Sequence, residues 1–223
     1  WGALPKEWDH FVSLGLTEDL LPVVCNPKAK IDPKSKMKKV GKTPSVYNKS
    51  GFVAGFGKWT EKTANEAQIK RWKSEPDYGV CIQTRLVRAL DIDVPDKAAA
   101  RRIAKYAVKK LGVAMPMRYR KDSGKCLLGF IVHGEFGKRT VRVEGGIIEF
   151  LANGQQFVAA GQHQDGERYS WIWPEGVEEF PVISKKKIEK VWSQICERFG
   201  IAEATEGGLR KGKSENTIIV ADE

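Results

Sequence analysis

Residues 87–112 read VRALDIDVPDKAAARRIAKYAVKKLG, and this stretch decides the fold. Its apolar first half predicts a buried strand over 87–94, which Pro95 ends because proline cannot donate to a sheet ladder. Residues 96–111 repeat apolar side chains at helical spacing, with lysines and arginines on the opposite face and Gly112 as the stop. A strand followed at once by an amphipathic helix is typical of a domain that combines sheets and helices.

The rest of the chain continues with short strands and helices. Six further strands are predicted at 78–83, 115–120, 126–132, 146–151, 155–160 and 168–173, and two further helices at 60–73 and 185–199. Thr63 and Ser184 are the predicted caps of these two helices. The loops are short, so most strands are expected to pair antiparallel, and Thr84-Arg85-Leu86 predicts a hairpin between 78–83 and 87–94. We therefore predict an α+β fold.

Residues 1–60 show little periodicity, and residues 28–49 are predicted to form a long basic loop or wrapping arm. Between Lys28 and Lys49 the sequence has eight lysines and one acid, Asp32, interrupted by prolines and glycines. Such a segment suits a polyanionic partner, although a mobile, solvated surface loop has the same composition.

The patterns divide the chain into three parts: a domain over 1–183, a helix over 184–201, and a linker or tail over 202–223. Within the tail, residues 207–214 fit the phosphate-loop expression GxxxxGK[ST]. That expression requires an apolar strand before it and a helix after it, and neither is present in the pattern. We interpret the match as part of a basic tail.

Composition and charge favour a globular protein with a polyanionic partner. The chain of 223 residues has 38 Lys and Arg against 28 Asp and Glu, a formal net charge of +10. Its four cysteines are far apart and its three histidines lack ligand spacing, so we expect neither a disulfide framework nor a structural zinc site. No apolar run suits a membrane-spanning helix and no secretory signal is visible, so a cytoplasmic location is expected.

An acidic pair is the most informative local signal. Asp91 and Asp93 are two residues apart on an apolar strand, so they project from the same face. Two neighbouring carboxylates repel each other, and a hard divalent cation such as Mg²⁺ relieves that repulsion. Glu149, the one charge in the apolar run 145–151, is a candidate third ligand. The alternative is that these acids lie at the surface and pair with lysine or arginine.

A group of phosphate-binding side chains lies between these acids in the sequence. Arg118 and Arg120 share a strand face, and Ser123 and Lys125 lie at the following turn. Arginine binds phosphate through two parallel hydrogen bonds, lysine as a point charge and serine through its hydroxyl. The segment is therefore a candidate triphosphate site, or else a solvated basic hairpin.

These features, in this order, resemble the primase–polymerase (prim-pol) domain of the archaeo-eukaryotic primase superfamily. The resemblance runs from about residue 42 to residue 171. The first family motif is an acidic pair, which matches Asp91 and Asp93. The third is an acid at the end of an apolar strand, which matches Glu149 in place of the usual Asp.

The second family motif is Ser-x-His, and its closest match is Ser123-Gly-Lys125. Lysine therefore stands where the family has a histidine that contacts the phosphates of the incoming nucleotide. A lysine still binds phosphate, but near neutral pH it stays charged and cannot transfer a proton as histidine does. His163 follows the third motif, where it either reaches the nucleotide or supports a turn.

The resemblance implies an RRM-like catalytic sheet and a smaller α/β module on either side of a cleft. It implies a nucleotidyltransferase, a DNA primase and polymerase of phage or plasmid replication. Its Mg²⁺ or Mn²⁺ ions would be held by Asp91, Asp93 and Glu149, for in-line attack of a 3′-oxygen on the α-phosphate.

The resemblance also implies the substrates and partners. Nucleoside triphosphates would contact the residues of the second motif and its surroundings: Arg118, Arg120, Ser123, Lys125 and His163. A single-stranded or primed DNA template would contact Lys38, Lys39, Lys42, Arg85 and the outer face of helix 96–111. A helicase, in the same chain or separate, is a further expected partner.

Three other functions use some of the same residues. A metal-dependent nuclease would need the acids but no nucleoside triphosphate. A non-catalytic single-strand-binding module would bind with a steep salt dependence and tolerate loss of the acids. A sugar-nucleotide transferase also holds its metal with an Asp-x-Asp pair, but the basic arm and the order of the motifs argue against it.

Overall fold

A computed structural model describes residues 1–201 of the chain. Over this range four helices and eleven strands form an α+β structure, as the sequence predicts. The helices are α1 (Pro5–Ser13), α2 (Glu66–Lys73), α3 (Lys97–Leu111) and α4 (Lys185–Phe199). The strands are β1 (Leu20–Val24), β2 (Ser45–Tyr47), β3 (Val53–Gly55), β4 (Tyr78–Gln83), β5 (Val87–Asp93), β6 (Met117–Tyr119), β7 (Cys126–Ile131), β8 (Arg139–Val143), β9 (Gly146–Leu151), β10 (Gln156–Ala160) and β11 (Ser170–Ile172).

The described residues leave two predictions from the sequence untested. Residues 202–223, with the phosphate-loop match, lie outside the described residues, and the boundaries 1–183 and 184–201 stay predictions. Among the helices of the described part, none has the length and apolar character needed to cross a bilayer.

A six-stranded sheet in the order β11-β6-β7-β5-β9-β8 carries the predicted acids, and all its ladders are antiparallel. Helices α3 and α4 cover one face, against which Leu90 and Ile92 of β5 are buried. Burial of each such side chain stabilises the fold by about 1.5–3 kcal/mol. The alternation of β5 therefore fixes which face meets the helices, and it directs Asp91 and Asp93 to the opposite face.

A smaller unit precedes and flanks this sheet. It contains the three-stranded antiparallel sheet β1-β4-β10, the helices α1 and α2, and the two-stranded sheet β2-β3. Trp8 of α1 and Trp72 of α2 are almost fully buried, with ring centroids 6.3 Å apart. Ser45 at the start of β2 accepts a hydrogen bond from the Val24 amide at 3.0 Å, which ties β2 to β1.

The predicted hairpin between β4 and β5 is wrong. The two strands have the expected positions, but β4 pairs with β1 and β10 whereas β5 pairs with β7 and β9. The connection crosses between the sheets because Thr84 binds distant backbone: its amide donates to Gln155 at 3.0 Å and its hydroxyl donates to the Ala152 carbonyl. The buried Arg88 guanidinium donates to the Thr84 carbonyl and holds this crossing in place.

The sequence predicts no helix or strand before residue 60, and this is also wrong, because α1, β1, β2 and β3 lie there. Strand β1 reads LLPVV and all five residues are buried, so the alternation that marks a half-exposed strand is absent. Helix α1 begins with Pro5 in its first turn, and the Glu7 carboxylate accepts from the Leu4 amide at 2.6 Å. Strand β8 was likewise not predicted.

The three predicted helices are present, and their bounds agree with the prediction except at the start of α2. Helices α3 and α4 begin after Asp96 and Ser184, whose side chains accept from backbone amides three residues later. Helix α2 is shorter than predicted because Asn65, not Thr63, is its cap. Asn65 and Gln68 exchange two hydrogen bonds of 3.0 Å and form a capping box.

Candidate active site

Five strands of the six-stranded sheet place one residue each in a row across the face opposite the helices. Asp91 on β5 lies directly opposite Glu149 on β9 and, on its other side, opposite Leu127 on β7. The row continues to Arg118 on β6 and Thr140 on β8. Opposed residues of an antiparallel pair have Cβ atoms about 4.5–5.5 Å apart. Asp91 and Glu149 are therefore close neighbours, and Asp93 follows on the same face.

Two of the three carboxylates are bound by lysines. Asp93 Oδ1 lies 2.5 Å from Lys125 Nζ, and Glu149 Oε1 lies 2.6 Å from Lys138 Nζ. These contacts are the ion pairs that the alternative interpretation of the acids expects. They neutralise charge on both outer members of the acidic group.

Asp91, between the other two acids, is partly buried, with 27% of its side chain exposed. Burial raises the pKa of its carboxyl, the Arg118 guanidinium 3.8 Å away opposes that rise, and the charges of Asp93 and Glu149 add to it. A partly buried carboxylate whose nearest cation is this far away is incompletely compensated. Additional positive charge at this point would stabilise its ionised form.

The donor set of this acidic group suits Mg²⁺ or Mn²⁺. It consists of carboxylate oxygens, with neither thiolate nor imidazole, and hard divalent cations prefer oxygen ligands. Within residues 1–201, however, no group of three or more His, Cys, Asp or Glu side chains is already arranged to hold a metal ion. In the same part of the chain, Asp93 and Glu149 each lie against a lysine.

A polar pocket of about 560 Å³ opens beside the acids. Of the predicted site residues it brings together nine, on both sides of the opening: Lys39, Lys42, Asp91, Asp93, Arg118, Arg120, Ser123, Lys125 and His163. Ser123 Oγ accepts from the Lys125 amide at 3.1 Å, so the turn before β7 presents both side chains to the pocket. The pocket is lined by a cationic wall of five side chains, Lys39, Lys42, Arg118, Arg120 and Lys125, and by five acids, Asp91, Asp93, Asp122, Asp165 and Glu167. Glu149 is not among its lining residues.

His163 lies at the centre of the cationic wall. Its Nε2 is 2.8 Å from Lys42 Nζ and its Nδ1 is 2.8 Å from Arg120 Nη1, with Asp165 Oδ2 3.0 Å from the same Nδ1. Burial, together with the charges of Lys42 and Arg120, lowers the pKa of His163 to about 4. A neutral imidazole has one acceptor nitrogen, so it cannot accept from both cations. Arg120 Nη1 also donates to the Asp165 carboxylate at 2.7 Å, so Lys42 is the cation of this cluster that a bound anion would best satisfy.

A search of known protein families matches residues 17–183 to the bifunctional DNA primase/polymerase, N-terminal (Prim-Pol) family. The matched span contains both large sheets and every residue that lines the pocket. The chain belongs to the Prim-Pol family. Membership implies DNA primase and polymerase activity in general, with a DNA template and nucleotide substrates. No curated protein matches the chain.

A second groove of the Prim-Pol domain, about 960 Å³, adjoins the pocket through Lys39 and Lys42, which line both. It is lined by three more lysines of the arm, at 34, 36 and 38, by Lys58 on the facing turn, and by Met37, Phe56 and Trp59. Its one acid, Asp32, accepts from the Lys34 amide at 2.8 Å and from Asn48 Nδ2 at 2.7 Å. The groove is thus strongly cationic with an aromatic floor.

Arg85 is not brought to either cavity. Its Nε donates to Asp19 at 2.6 Å and its Nη2 donates to the Glu18 carbonyl at 2.7 Å. It precedes β5, at the end of the strand opposite to Asp93, and the smaller unit holds it there. The structure therefore separates Arg85 from the other residues predicted to bind nucleic acid.

Sequence reasoning missed several residues of the Prim-Pol site. Lys138 immediately precedes β8, a strand that the sequence does not predict, so its contact with Glu149 could not be anticipated. Tyr169 supports Arg118, whose guanidinium carbon lies 4.6 Å from the ring centroid. Leu127, wholly buried between Arg118 and Asp91, has no charge or motif to mark it. Its apolar side chain occupies the row where a polar contact to substrate would otherwise lie.

Proposed function

We propose that this Prim-Pol domain catalyses template-directed nucleotidyl transfer by a two-metal mechanism at Asp91, Asp93 and Glu149. The observation that carries the proposal is the acidic row across one sheet face, directly beside a pocket with a cationic wall. Bound there, divalent cations would neutralise the developing charge on the attacking and leaving oxygens of the phosphoryl transfer. The carboxylates of the chain would hold them, and the cationic wall would hold the phosphates.

The side chains of the pocket have distinct tasks in this proposal. Arg118 lies between the acids and the rings of Tyr169 and Phe157, with its guanidinium carbon 4.6 and 5.9 Å from their centroids, and these contacts fix its direction. Lys42 and Arg120, on either side of the His163 ring, would bind the outer phosphates, and Asp165 positions Arg120 at 2.7 Å. Lys125 and Ser123 bind from the turn before β7.

The second groove is proposed to bind the single-stranded template. Lysines along both walls would contact successive phosphates, while Phe56 and Trp59 offer ring faces on which bases can stack. Lys38 and Lys39 belong to this groove and Lys42 joins it to the pocket, so a strand bound there leads toward the acids.

The fold fits the same proposal. An antiparallel sheet with two helices on one face is the arrangement expected of the RRM-like half of an archaeo-eukaryotic primase fold, and the β1-β4-β10 unit with α1 and α2 corresponds to the smaller module. The pocket receives Lys42 and His163 from segments that adjoin this smaller unit.

The test is synthesis on unprimed and primed single-stranded DNA with ribo- or deoxynucleoside triphosphates and Mg²⁺ or Mn²⁺. We expect Asp91→Asn and Asp93→Asn each to reduce synthesis by about 100-fold or more, the size seen when a charge-stabilising group is removed, with DNA binding within a few fold of wild type. Glu144→Gln is the matched control, because Glu144 is an exposed acid in the turn between β8 and β9. Unchanged synthesis by both Asp variants would disprove the proposal, and DNA cleavage without nucleotide would favour a nuclease.

A further inference from the structure

The contact between Lys125 and Asp93 joins two residues that the proposed function assigns to different ligands. In the proposed function Asp93 holds a divalent cation and Lys125 holds a phosphate, yet here they bind each other at 2.5 Å. Both side chains are partly exposed, 42% for Lys125 and 43% for Asp93, so either can change partner without disturbing the core. Lys125 Nζ therefore occupies a coordination position on the carboxylate that a metal ion would need.

We propose that Lys125 exchanges between two partners, the Asp93 carboxylate in the free protein and a phosphate of the bound nucleotide, so that divalent metal binds weakly alone and tightly together with nucleotide. The inference rests on the proposed function, since it assumes that the acidic group holds metal. Lys125 would thus control the access of metal to Asp93 in addition to contacting a phosphate.

The physical basis is competition between two cations for one carboxylate. An ammonium and a divalent cation repel each other, so metal can approach Asp93 only if Lys125 leaves. In the free protein Lys125 has no other carboxylate partner within residues 1–201, and leaving costs the ion pair. A triphosphate in the pocket supplies the replacement anion, because Lys125 and Asp93 line the same cavity. Metal and nucleotide then strengthen each other by the same factor.

The lysine at the histidine position of the family motif is the reason that metal and nucleotide are expected to strengthen each other's binding. A neutral imidazole would not compete with a divalent cation for a carboxylate, whereas a lysine ammonium carries a positive charge that does.

The first measurement is Mn²⁺ binding without nucleotide, followed by the electron paramagnetic resonance signal of free Mn²⁺. Lys125→Met is expected to tighten Mn²⁺ binding about two- to fivefold, the range of a partly exposed ion pair. Lys121→Met is the matched control: it removes the same charge from the same turn, where the Lys121 side chain is exposed and contacts no carboxylate of the described chain. In an Asp93→Asn background, Lys125→Met is expected to have no effect on Mn²⁺ binding.

The second measurement is binding of a fluorescent nucleoside triphosphate analogue in saturating Mg²⁺. Lys125→Met is expected to weaken it about fivefold or more, through loss of a charged phosphate contact. The opposite signs of the two effects distinguish exchange of partners from structural damage, which would weaken both. Equal Mn²⁺ affinity of wild type, Lys125→Met and Lys121→Met would overturn the inference. Mn²⁺ binding that survives Asp91→Asn unchanged would instead overturn the proposed function itself.

Discussion

The cationic cluster around His163 makes the stability of the protein depend on pH in a predictable direction. Lys42, Arg120 and Asp165 face the ring, and Tyr169 packs edge-on with ring centroids 5.8 Å apart. Burial and the two cations lower the pKa of His163 from 6.5 to about 4. Above pH 6.5 both the folded and the unfolded chain have a neutral ring, so this residue then contributes no pH dependence.

Below pH 6.5 the unfolded chain binds a proton that the folded chain excludes, and folding becomes less favourable. From the two pKa values, the folded state should lose about 2 kcal/mol by pH 5 and about 3 kcal/mol once the pH is below 4. The effect is a loss of stability on acidification, because a depressed histidine pKa favours the state that leaves the ring uncharged. Inorganic triphosphate should raise the pKa of His163, since an anion between the cations stabilises the imidazolium.

Denaturant unfolding of the wild type and of His163→Gln, at pH 7.5 and pH 5, isolates this contribution because every other titrating group is common to both proteins. We expect the wild type to lose about 2 kcal/mol more than the variant over this interval. Nuclear magnetic resonance titration of the three histidines gives the pKa of His163 directly. A His163 pKa at or above 6.5, or parallel pH profiles for the two proteins, would refute the reasoning.

Two further predictions test the groove and the sheet. Trp59→Ala should weaken binding of an oligothymidine by about 1–3 kcal/mol in fluorescence anisotropy, through loss of base stacking, while the exposed Trp1→Ala should not; equal losses would remove Trp59 from the template site. Gly146→Ala should lower the unfolding free energy by about 1–3 kcal/mol and impair synthesis, because its Cβ would overlap the Asp93 carbonyl oxygen. Gly57→Ala, with open space at its Cβ, is the control, and a fully stable Gly146→Ala protein would contradict this packing argument.

The sequence predicts elements well where the signal is local. Helices α3 and α4 combine an apolar stripe with a side-chain cap, and both begin within one residue of the predicted position. Strand β5 reveals Asp91 and Asp93 through the two-residue repeat of a strand. Such signals depend only on residues a few positions apart, so one sequence contains them in full.

The sequence fails where partners are distant. The crossing after β4 depends on hydrogen bonds from Thr84 to Ala152 and Gln155, which no turn pattern near Thr84 records. Strand β1, buried throughout, gives no alternation to detect. The same limit applies to the site: Lys42 and His163 are 121 residues apart, and only the fold brings their side chains together.

The row of Arg118, Asp91 and Glu149 has a consequence for how this protein can vary. Because neighbours in a strand alternate between the two faces, deletion of one residue within β9 would send Glu149 into the apolar layer under α3 and α4 and bring Ile148 or Phe150 out to the face that carries Asp91. A deletion within β5 would likewise turn Asp91 and Asp93 toward the helices. Changes in chain length are therefore expected in the loops, because an insertion that removed the acids from their face would also place charge in the core.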